Sequence, residues 1–315
     1  MSTQVEPITA GERASNAAMS RLLRRLHTGN NIAVGVIWAV AMLVALIFVA
    51  IIVDLVIQGF TARLGNTAVL LNPDFWGGTE FGIASEVFNT FYILILTEIF
   101  LVPIALGAAI YLVEYANQGP LVAVIRFAAE TLAGVPTIVL GLFGFILFSA
   151  QFQLHISRLA GALTLLCLNF PIALRLFEQG LTAVPRDLRE GSLAMGASKW
   201  RMIRTVVLPS ALPGIVTGII LSAGRIIGET AAIVFTMGET NPFSGVFTLN
   251  PLIASDTLTV HIWYLKTQDI PPGVTAAEAS AIAAGSAAVL VVILLVINIG
   301  ARSIGRAIER RITAA

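Results

Sequence analysis

Charged residues are scarce in this chain: of its 315 residues, 12% are charged, whereas 57% are hydrophobic. A soluble domain carries about 25% charged residues, so the composition excludes an ordinary soluble protein. It predicts instead an all-α protein that crosses the membrane several times. The formal net charge of +1 gives no indication of nucleic-acid binding.

Cysteine and histidine are nearly absent too. Cys167 is the only cysteine, which excludes an intramolecular disulfide, and we expect it to be a small packing residue within an apolar run. The three histidines, His27, His155 and His261, are far apart along the chain, and none lies at the centre of an apolar segment. The sequence therefore predicts neither a metal site nor a histidine-based catalytic centre.

Long apolar segments, by contrast, are abundant. A helix needs about 20 mostly apolar residues to cross a bilayer. Six segments approach or exceed this length: 32–57, 88–112, 137–152, 159–177, 212–237 and 279–299. The first is too long, and its flanking tail too polar, for a cleaved signal peptide. We therefore predict six transmembrane helices.

Lysine and arginine are distributed unequally around these segments. They are concentrated in the N-terminal tail, in residues 186–204 and in the C-terminal tail, whereas the alternate connections hold only Arg63, Arg158 and Lys266. Because cytoplasmic loops are enriched in lysine and arginine, we expect both termini to be cytoplasmic. The external connections 58–85 and 238–278 are long enough to meet an external partner, and passive coil is the alternative.

These features divide the chain into four parts. We expect a cytoplasmic tail at 1–31 that is mostly not ordered, and a first transmembrane helix at 32–58. A transmembrane domain follows at 85–300, and a second cytoplasmic tail at 301–315. Within the transmembrane domain, residues 185–210 form a charged cytoplasmic insertion between the fourth and fifth apolar segments.

The charged insertion has the pattern of two short helices. Pro185 suits a first helical turn, Gly196 suits a left-handed helix end, and Ser198 is a suitable N-cap for the second helix. We expect Pro209 and Pro213 to end that second helix and to begin the fifth transmembrane segment. An amphipathic helix that lies on the membrane surface is the alternative.

The spacing within this insertion resembles the cytoplasmic signature of ABC importer permeases. The matching residues are Glu190, Gly191, Ser192, Gly196, Val206, Leu208 and Pro209. The family usually has alanine at positions 191 and 192, and both replacements here are small. The resemblance implies a type I ABC importer permease fold and a hairpin that docks on a cytosolic ATPase. The remaining residues of the expected docking hairpin are Ala197, Lys199, Trp200 and Arg201.

The chain lacks an ATP-binding loop of its own. A Walker A loop needs a lysine directly after its second glycine, followed by Ser or Thr. Gly191 and Gly196 have the right interval, but Ala197 follows, and Lys199 comes too late. We therefore expect no cofactor and no catalysis on this chain, with ATP and Mg²⁺ bound by a separate ATPase.

Two ionisable residues lie within the fifth apolar segment. Arg225 is near its middle, and Glu229 follows at i+4 on the same helical face. Intramembrane charges are costly and usually functional, so Arg225 is a candidate site for an anion. A structural ion pair between Arg225 and Glu229 is the alternative. The segment also has two spacings that predict close helix packing, Gly214/Gly218 and Gly224/Gly228.

Several stretches resemble permeases of the bacterial phosphate-specific transport system, namely 133–144, 169–198, 224–238 and 257–265. The last stretch, and GETAAIVF within 224–238, are most similar to its A-type permease. The resemblance implies a pathway for phosphate through the bacterial inner membrane. It implies Arg225, Glu229 and Arg175 as the charges of that pathway, with a snorkelling arginine as the alternative for Arg175.

Three further residues are candidates for the same pathway. Glu98 departs from the family pattern, in which a small or neutral residue is expected, and it either pairs with Arg225 or Arg175 or lines the pathway. Ser222 lies on the helical face of Arg225, and Thr137 begins the third segment with a hydroxyl group to offer.

The resemblance also implies partners. These are two copies of a cytosolic ATPase, a second permease subunit, an external phosphate-binding protein, phosphate itself and membrane lipid. An ABC permease for sulfate, molybdate or a polyamine is the first alternative, although Arg225 disfavours a cationic solute. A secondary transporter or membrane enzyme is the second, and it would need an acid–base pair, metal ligands or a proton relay.

Overall fold

A computed structural model describes residues 10–77, 82–238, 247–267 and 274–313, with side chains described from residue 27 to residue 300 and at residues 303 and 305. The chain divides into two compact units, residues 1–54 and residues 55–315. Parts of the predicted tails and external connections lie outside the described residues: 1–9, 78–81, 239–246, 268–273 and 314–315.

Helices account for most of the described residues. They are α1 (Ala10–Thr61), α2 (Ala84–Ile110), α3 (Pro120–Ala133), α4 (Thr137–Gly144), α5 (Arg158–Thr182), α6 (Arg186–Ala194), α7 (Lys199–Met202), α8 (Leu208–Gly228), α9 (Ile233–Thr236), α10 (Leu258–Thr267) and α11 (Ala276–Thr313). π-helical turns at Tyr111–Tyr115 and Phe145–Gln151 extend α2 and α4, and a third at Ile203–Val207 joins α7 to α8. Two short strands, β1 (Arg63–Leu64) and β2 (Thr67–Ala68), pair antiparallel, with Arg63 opposite Ala68.

Five helical runs are long and apolar enough to cross a membrane: His27–Thr61, Ala84–Tyr115, Arg158–Thr182, Lys199–Gly228 and Ala276–Gly300. In the described residues α3 and α4, extended to Gln151, are apolar enough to cross together, but they are bent by 101°, as in a broken crossing or a re-entrant loop. Pro136 causes the bend, because it cannot donate a backbone hydrogen bond and it forces the preceding residue out of helical geometry. The number of crossings among the described residues equals the predicted six if the bent pair of α3 and α4 is counted as one crossing.

The first and last helices extend beyond the predicted spans. α1 begins at Ala10 and α11 continues to Thr313, whereas the sequence predicted a mostly unordered tail up to residue 31 and a tail from residue 301. No proline occurs between Pro7 and Pro73, so no residue in that interval removes a helical hydrogen bond. The helical segments therefore continue into the charged sequences that flank them.

The main core of the unit at 55–315 lies between α2, α5 and α8. Ile93 and Leu101 of α2, Phe177 of α5 and Ile215 of α8 are buried in it. Within a membrane such contacts stabilise the bundle through van der Waals packing rather than through exclusion of water. A second cluster joins the connection after β2 to the last two helices; its members include Val69, Phe75, Leu258 and Ile282.

α5 and α8 approach each other closely at a pair of glycines. A Cβ atom on Gly214 would lie 2.6 Å from the Cα atom of Gly180, and one on Gly218 would lie 2.8 Å from Phe177 Cε1. The predicted close packing is therefore confirmed at Gly214/Gly218. A Cβ atom on Gly224 would lie 3.8 Å from the side chain of Asn298, an ordinary contact, and one on Gly228 would meet no described atom within 4 Å. The second glycine spacing is therefore not a site of equally close packing among the described residues.

The helix that contains Pro209 does not end there, contrary to the sequence prediction. Residues Lys199–Gly228 form one run of 30 residues. Pro209 lies in the first turn of α8, directly after the π-helical turn Ile203–Val207. Proline fits the first turn of a helix, and the hydrogen-bond register changes at the π-helical turn. The second hairpin helix, α7, is thus connected to the fifth crossing without a break.

Candidate functional site

Arg225 lies in the last turn of α8, and its side chain is exposed on the surface of the chain's own bundle. Glu229 does not continue this helix, because α8 ends at Gly228 and Glu229 is extended, with φ −77° and ψ 131°. The hydroxyl of Thr259 in α10 donates to the backbone oxygen of Glu229 at 3.0 Å. The prediction that Arg225 and Glu229 share one helical face is therefore wrong.

The carboxylate of Glu229 has a local role instead. Its Oε1 atom accepts a hydrogen bond from the backbone N–H of Ala232 at 3.3 Å, just before α9. Among the described residues no ion pair joins Arg225 to a carboxylate. The alternative of a structural ion pair between Arg225 and Glu229 is therefore not formed in this conformation, and Arg225 is exposed.

Glu98 and Ser222 meet between α2 and α8. The hydroxyl of Ser222 donates to Glu98 Oε1 at 2.6 Å; Ser222 is buried and Glu98 is half-buried. The second oxygen, Oε2, is buried with no hydrogen-bond partner in the described structure. The expected pairing of Glu98 with Arg225 or Arg175 is therefore replaced by a contact with Ser222, which brings two of the predicted pathway residues together.

Arg175 lines a cleft between α3 and α5. The cleft has a volume of about 870 Å³, and its wall includes Arg126, Glu130 and Pro171. Arg126 forms an ion pair there with Glu178 at 3.2 Å, while the side chain of Arg175 is exposed. Thr137 is half-buried at the start of α4 and does not line this cleft. The six predicted pathway residues thus do not form one compact site within a single chain.

The cytoplasmic hairpin has the predicted two-helix form. α6 ends at Ala194, Gly196 follows with φ +80°, and the side chain of Ser198 caps α7 by accepting from the backbone N–H of Arg201 at 3.3 Å. Because φ is positive at Gly196, glycine is the residue that reverses the chain there without strain. The predicted break and cap are both confirmed.

Two polar contacts attach the hairpin to the bundle. Arg189 of α6 pairs with Glu114 at 3.0 Å and donates to the backbone oxygens of Leu181 and Val184 at the end of α5. Lys199 Nζ lies 5.0 Å from the centroid of the Tyr115 ring. The hairpin is therefore joined to the cytoplasmic ends of α2 and α5 as well as to α8.

The tip of the hairpin exposes apolar side chains. Met195 is 89% exposed and Trp200 is 58% exposed, with Leu188 and Leu193 nearly half exposed. Of the predicted docking residues, Glu190, Gly191, Gly196, Lys199, Trp200 and Arg201 are exposed, and Ser192, Ala197, Val206, Leu208 and Pro209 are half-buried. Leu193 and Met195 also belong to this surface, although the sequence signature does not include them; they lie between its matching residues.

A buried arginine at the opposite end was also missed. Arg158, the first residue of α5, is 1% exposed. It donates to Asn89 Oδ1 at 2.5 Å, to Ser255 Oγ at 2.9 Å and to the backbone oxygen of Thr248, and its guanidinium lies 4.8 Å from the centroid of the Tyr92 ring. Its sequence position, at the edge of an apolar segment, indicated only an external charge.

The profile of the family described as "Binding-protein-dependent transport system inner membrane component" matches residues 101–314. A probable ABC transporter permease protein, YqgI of Bacillus subtilis, is 40% identical over 242 residues, 74% of this chain and 81% of the relative. The phosphate transport system permease protein PstA 1 of Mycobacterium tuberculosis H37Rv is 34% identical over 237 residues, 73% of this chain and 71% of the relative.

Solved structures share the fold at low identity. A bacterial ABC transporter involved in the import of the acidic polysaccharide alginate matches with a TM-score of 0.62 and 13% identity, covering 90% of this chain and 99% of its own. The inward-facing MetNI methionine ABC transporter matches with a TM-score of 0.54 and 19% identity, covering 72% of this chain and 94% of its own. The family profile, the helical bundle and the cytoplasmic hairpin together lead to one conclusion: the chain belongs to the binding-protein-dependent transport system inner membrane components, the non-catalytic permease subunits of ABC importers.

Proposed function

We propose that this chain is the transmembrane permease subunit of an ATP-driven importer of inorganic phosphate. The proposal is supported by relatives with the name phosphate transport system permease protein, such as the one from Mycobacterium tuberculosis. Residues 85–300 would be the transport domain, and the hairpin at 185–210 its connection to the ATPase. A second permease and an external phosphate-binding protein complete the proposed assembly.

The observation that carries the proposal is the exposed position of Arg225 within a transmembrane helix. Arg225 lies in the last turn of this helix, and an arginine exposed to lipid within the bilayer is costly, by up to about 2.5–3.5 kcal/mol at the helix centre on insertion scales. An exposed guanidinium avoids this cost if it faces water or another subunit. We therefore place Arg225 on the wall of an aqueous pathway between this chain and the second permease.

The chemistry of this wall favours a phosphate ion. Guanidinium groups bind phosphate through two parallel hydrogen bonds, and Arg225 keeps its donors available because Glu229 is turned away from it. Arg175 offers a second cation nearer the cytoplasmic end of α5. Glu98, Ser222 and Thr137 are the polar groups that we assign to the same pathway, where they would hydrogen-bond to a passing ion or to water.

The hairpin is proposed as the docking element for the ATPase. Its exposed tip combines an apolar surface, with Met195 89% and Trp200 58% exposed, with the charges of Lys199 and Arg201. Its continuous helical connection to α8 would pass movement of the ATPase to the segment that carries Arg225. Two ATPase copies would bind ATP and Mg²⁺ and supply the energy, one beneath each permease.

The proposed role of Arg225 is tested by phosphate uptake in cells that express the assembled importer with Arg225→Gln. Loss of a charge-assisted hydrogen bond of about 1.5–3 kcal/mol predicts a reduction in uptake of about tenfold or more. The matched control is Arg63→Gln, an exposed external arginine, which should transport normally. Unimpaired uptake in an assembled Arg225→Gln complex would contradict the proposal.

The solute is tested separately by competition. Unlabelled sulfate, molybdate and a polyamine are added during uptake of radiolabelled phosphate. Phosphate alone should compete at concentrations near its own KM. Competition by sulfate or molybdate at similar concentrations would instead favour another oxyanion permease, while the hairpin and its ATPase would keep their proposed roles.

A further inference from the structure

Three side chains that bind metals in many proteins meet at the end of the bundle opposite the hairpin. Glu86 lies in the first turn of α2, Asp256 precedes α10, and His261 lies within α10. His261 Nδ1 lies 3.4 Å from Asp256 Oδ2 and 4.0 Å from Glu86 Oε1. One potential ligand atom from each residue lies within 4.8 Å of the other two. We call these residues the external triad.

The external triad is buried and rich in negative charge. Glu86 is 2% exposed and Asp256 is 4% exposed, and Glu86 Oε2 has no hydrogen-bond partner among the described residues. Two carboxylates buried side by side are stable only if a proton or a cation compensates them. The unpartnered oxygen of so deeply buried a carboxylate is an independent indication that the triad accommodates a ligand.

The nearest arginine is directed to neutral groups. Arg158 donates to Asn89, which lies one helical turn after Glu86, and to Ser255, which precedes Asp256. These hydrogen bonds hold the guanidinium beside the triad, while the two carboxylates of the triad face the imidazole of His261.

We propose that the external triad binds one divalent transition-metal ion, with Zn²⁺ as the best match. Histidine nitrogen and carboxylate oxygen bind Zn²⁺ at about 2.0–2.2 Å, and tetrahedral geometry then separates neighbouring ligand atoms by roughly 3.4 Å. The distance between Asp256 Oδ2 and His261 Nδ1 already has this value. Glu86 Oε1 lies 4.0 Å from His261 Nδ1, and the three ligand atoms lie within 4.8 Å of one another. A shift of roughly 1 Å, of the order a side-chain rotation provides, completes the set.

The number and kind of ligands in the external triad disfavour Ca²⁺ and Mg²⁺. Ca²⁺ takes six to eight oxygen ligands, and Mg²⁺ demands octahedral oxygen geometry, whereas the triad supplies three ligands, one of them nitrogen. The side chain of His261 is 14% exposed, so an ion from the external solution can reach it. The bound ion would join the start of α2 to the start of α10, and thereby stabilise the external end of the transport domain.

The test uses the purified, nucleotide-free importer complex after treatment with a chelator. Titration with Zn²⁺ by calorimetry should give one ion per copy of this chain, and Glu86→Gln and His261→Asn should each weaken binding at least tenfold. The matched controls are Asp74→Asn and His155→Asn, which change exposed residues at the same end and should bind as the unaltered protein does. Melting temperatures without metal identify any variant that fails to fold.

A second measurement needs no variant. Co²⁺ added to the unaltered complex should develop the visible absorption of a four- or five-coordinate site, and Zn²⁺ should abolish it at one equivalent per chain. The proposal is overturned if neither ion binds at millimolar concentration, or if both triad variants bind like the controls. If neither ion binds, the negative charge of the triad would be neutralised by protons alone. Phosphate uptake by Arg225→Gln reports on the proposed function independently of either result.

Discussion

At the scale of single residues, Arg158 and Arg225 show two opposite ways in which a membrane bundle accommodates a positive charge. Arg158 is 1% exposed and directs its hydrogen bonds to three groups in two other segments, whereas Arg225 is exposed and pairs with no carboxylate among the described residues. A buried guanidinium is tolerated only when its donors are satisfied. Arg158 is thus a structural residue, and Arg225 retains the capacity to bind an anion.

Substitution of Arg158 with methionine should destabilise the protein. Methionine preserves the unbranched aliphatic stem of the side chain but leaves Asn89 Oδ1 and Ser255 Oγ without their donor, at a cost of about 1–3 kcal/mol for each buried unsatisfied group. We expect a melting temperature of the purified complex in detergent several degrees lower than that of Arg63→Met, an exposed control. Equal melting temperatures would exclude the structural role of Arg158.

The hairpin of α6 and α7 is the element whose form depends most on a single backbone position. Gly196 has φ +80°, and a Cβ atom at this position would meet no atom within 4 Å. The requirement for glycine is therefore conformational rather than steric. The hairpin keeps its shape through this turn, through the cap at Ser198 and through the ion pair of Arg189 with Glu114.

Two substitutions at Gly196 test whether the hairpin needs the positive φ at this position or the glycine residue itself. Valine disfavours positive φ, at a cost of about 1–2 kcal/mol or more for a β-branched residue, so Gly196→Val should distort the hairpin and reduce ATP-dependent uptake several-fold. Asparagine tolerates this conformation, and Gly196→Asn should transport nearly normally. Uptake is measured in vesicles that contain the whole importer. Equal activity of the two variants would show that the turn geometry is not required.

At the scale of the whole molecule, polar contacts gather at two opposite ends of the bundle. The hairpin, the end of α2 and the end of α5 are joined by Arg189 and Lys199. The start of α5, the segment around Ser255 and α2 are joined by Arg158 at the other end. The hairpin and Arg158 thus lie at opposite ends of the bundle, and the distribution of lysine and arginine predicts that the hairpin end is the cytoplasmic one.

Cysteine labelling tests this orientation, because Cys167 is the only native cysteine and can be replaced by serine. In that background, Thr67→Cys and Ala194→Cys each introduce an exposed thiol. A membrane-impermeant maleimide should label position 67 in spheroplasts and position 194 only in inverted vesicles. The reverse pattern would overturn the assigned orientation of the bundle.

The sequence by itself determined the class of the protein and the form of the hairpin, and its prediction of six crossings agrees with the described residues when α3 and α4 count as one crossing. Each of these depends on local properties: the length of apolar segments, the break at Pro136, and the conformation available to Gly196. These properties depend on residues that are close together in the chain, so they can be recognised without knowledge of how the helices pack. The lack of a lysine directly after Gly196, which a Walker A loop requires, is likewise a local property of the sequence.

Only the tertiary structure decided which polar groups meet. Glu229 was predicted to share a helical face with Arg225, but α8 ends one residue earlier and Thr259, 30 residues away in the chain, binds the Glu229 carbonyl. The pairing of Glu98 with Ser222, over 124 residues, and the external triad likewise depend on helix packing. Contacts between distant segments are set by which helix faces pack together, and the periodicity of a single helix does not contain that information.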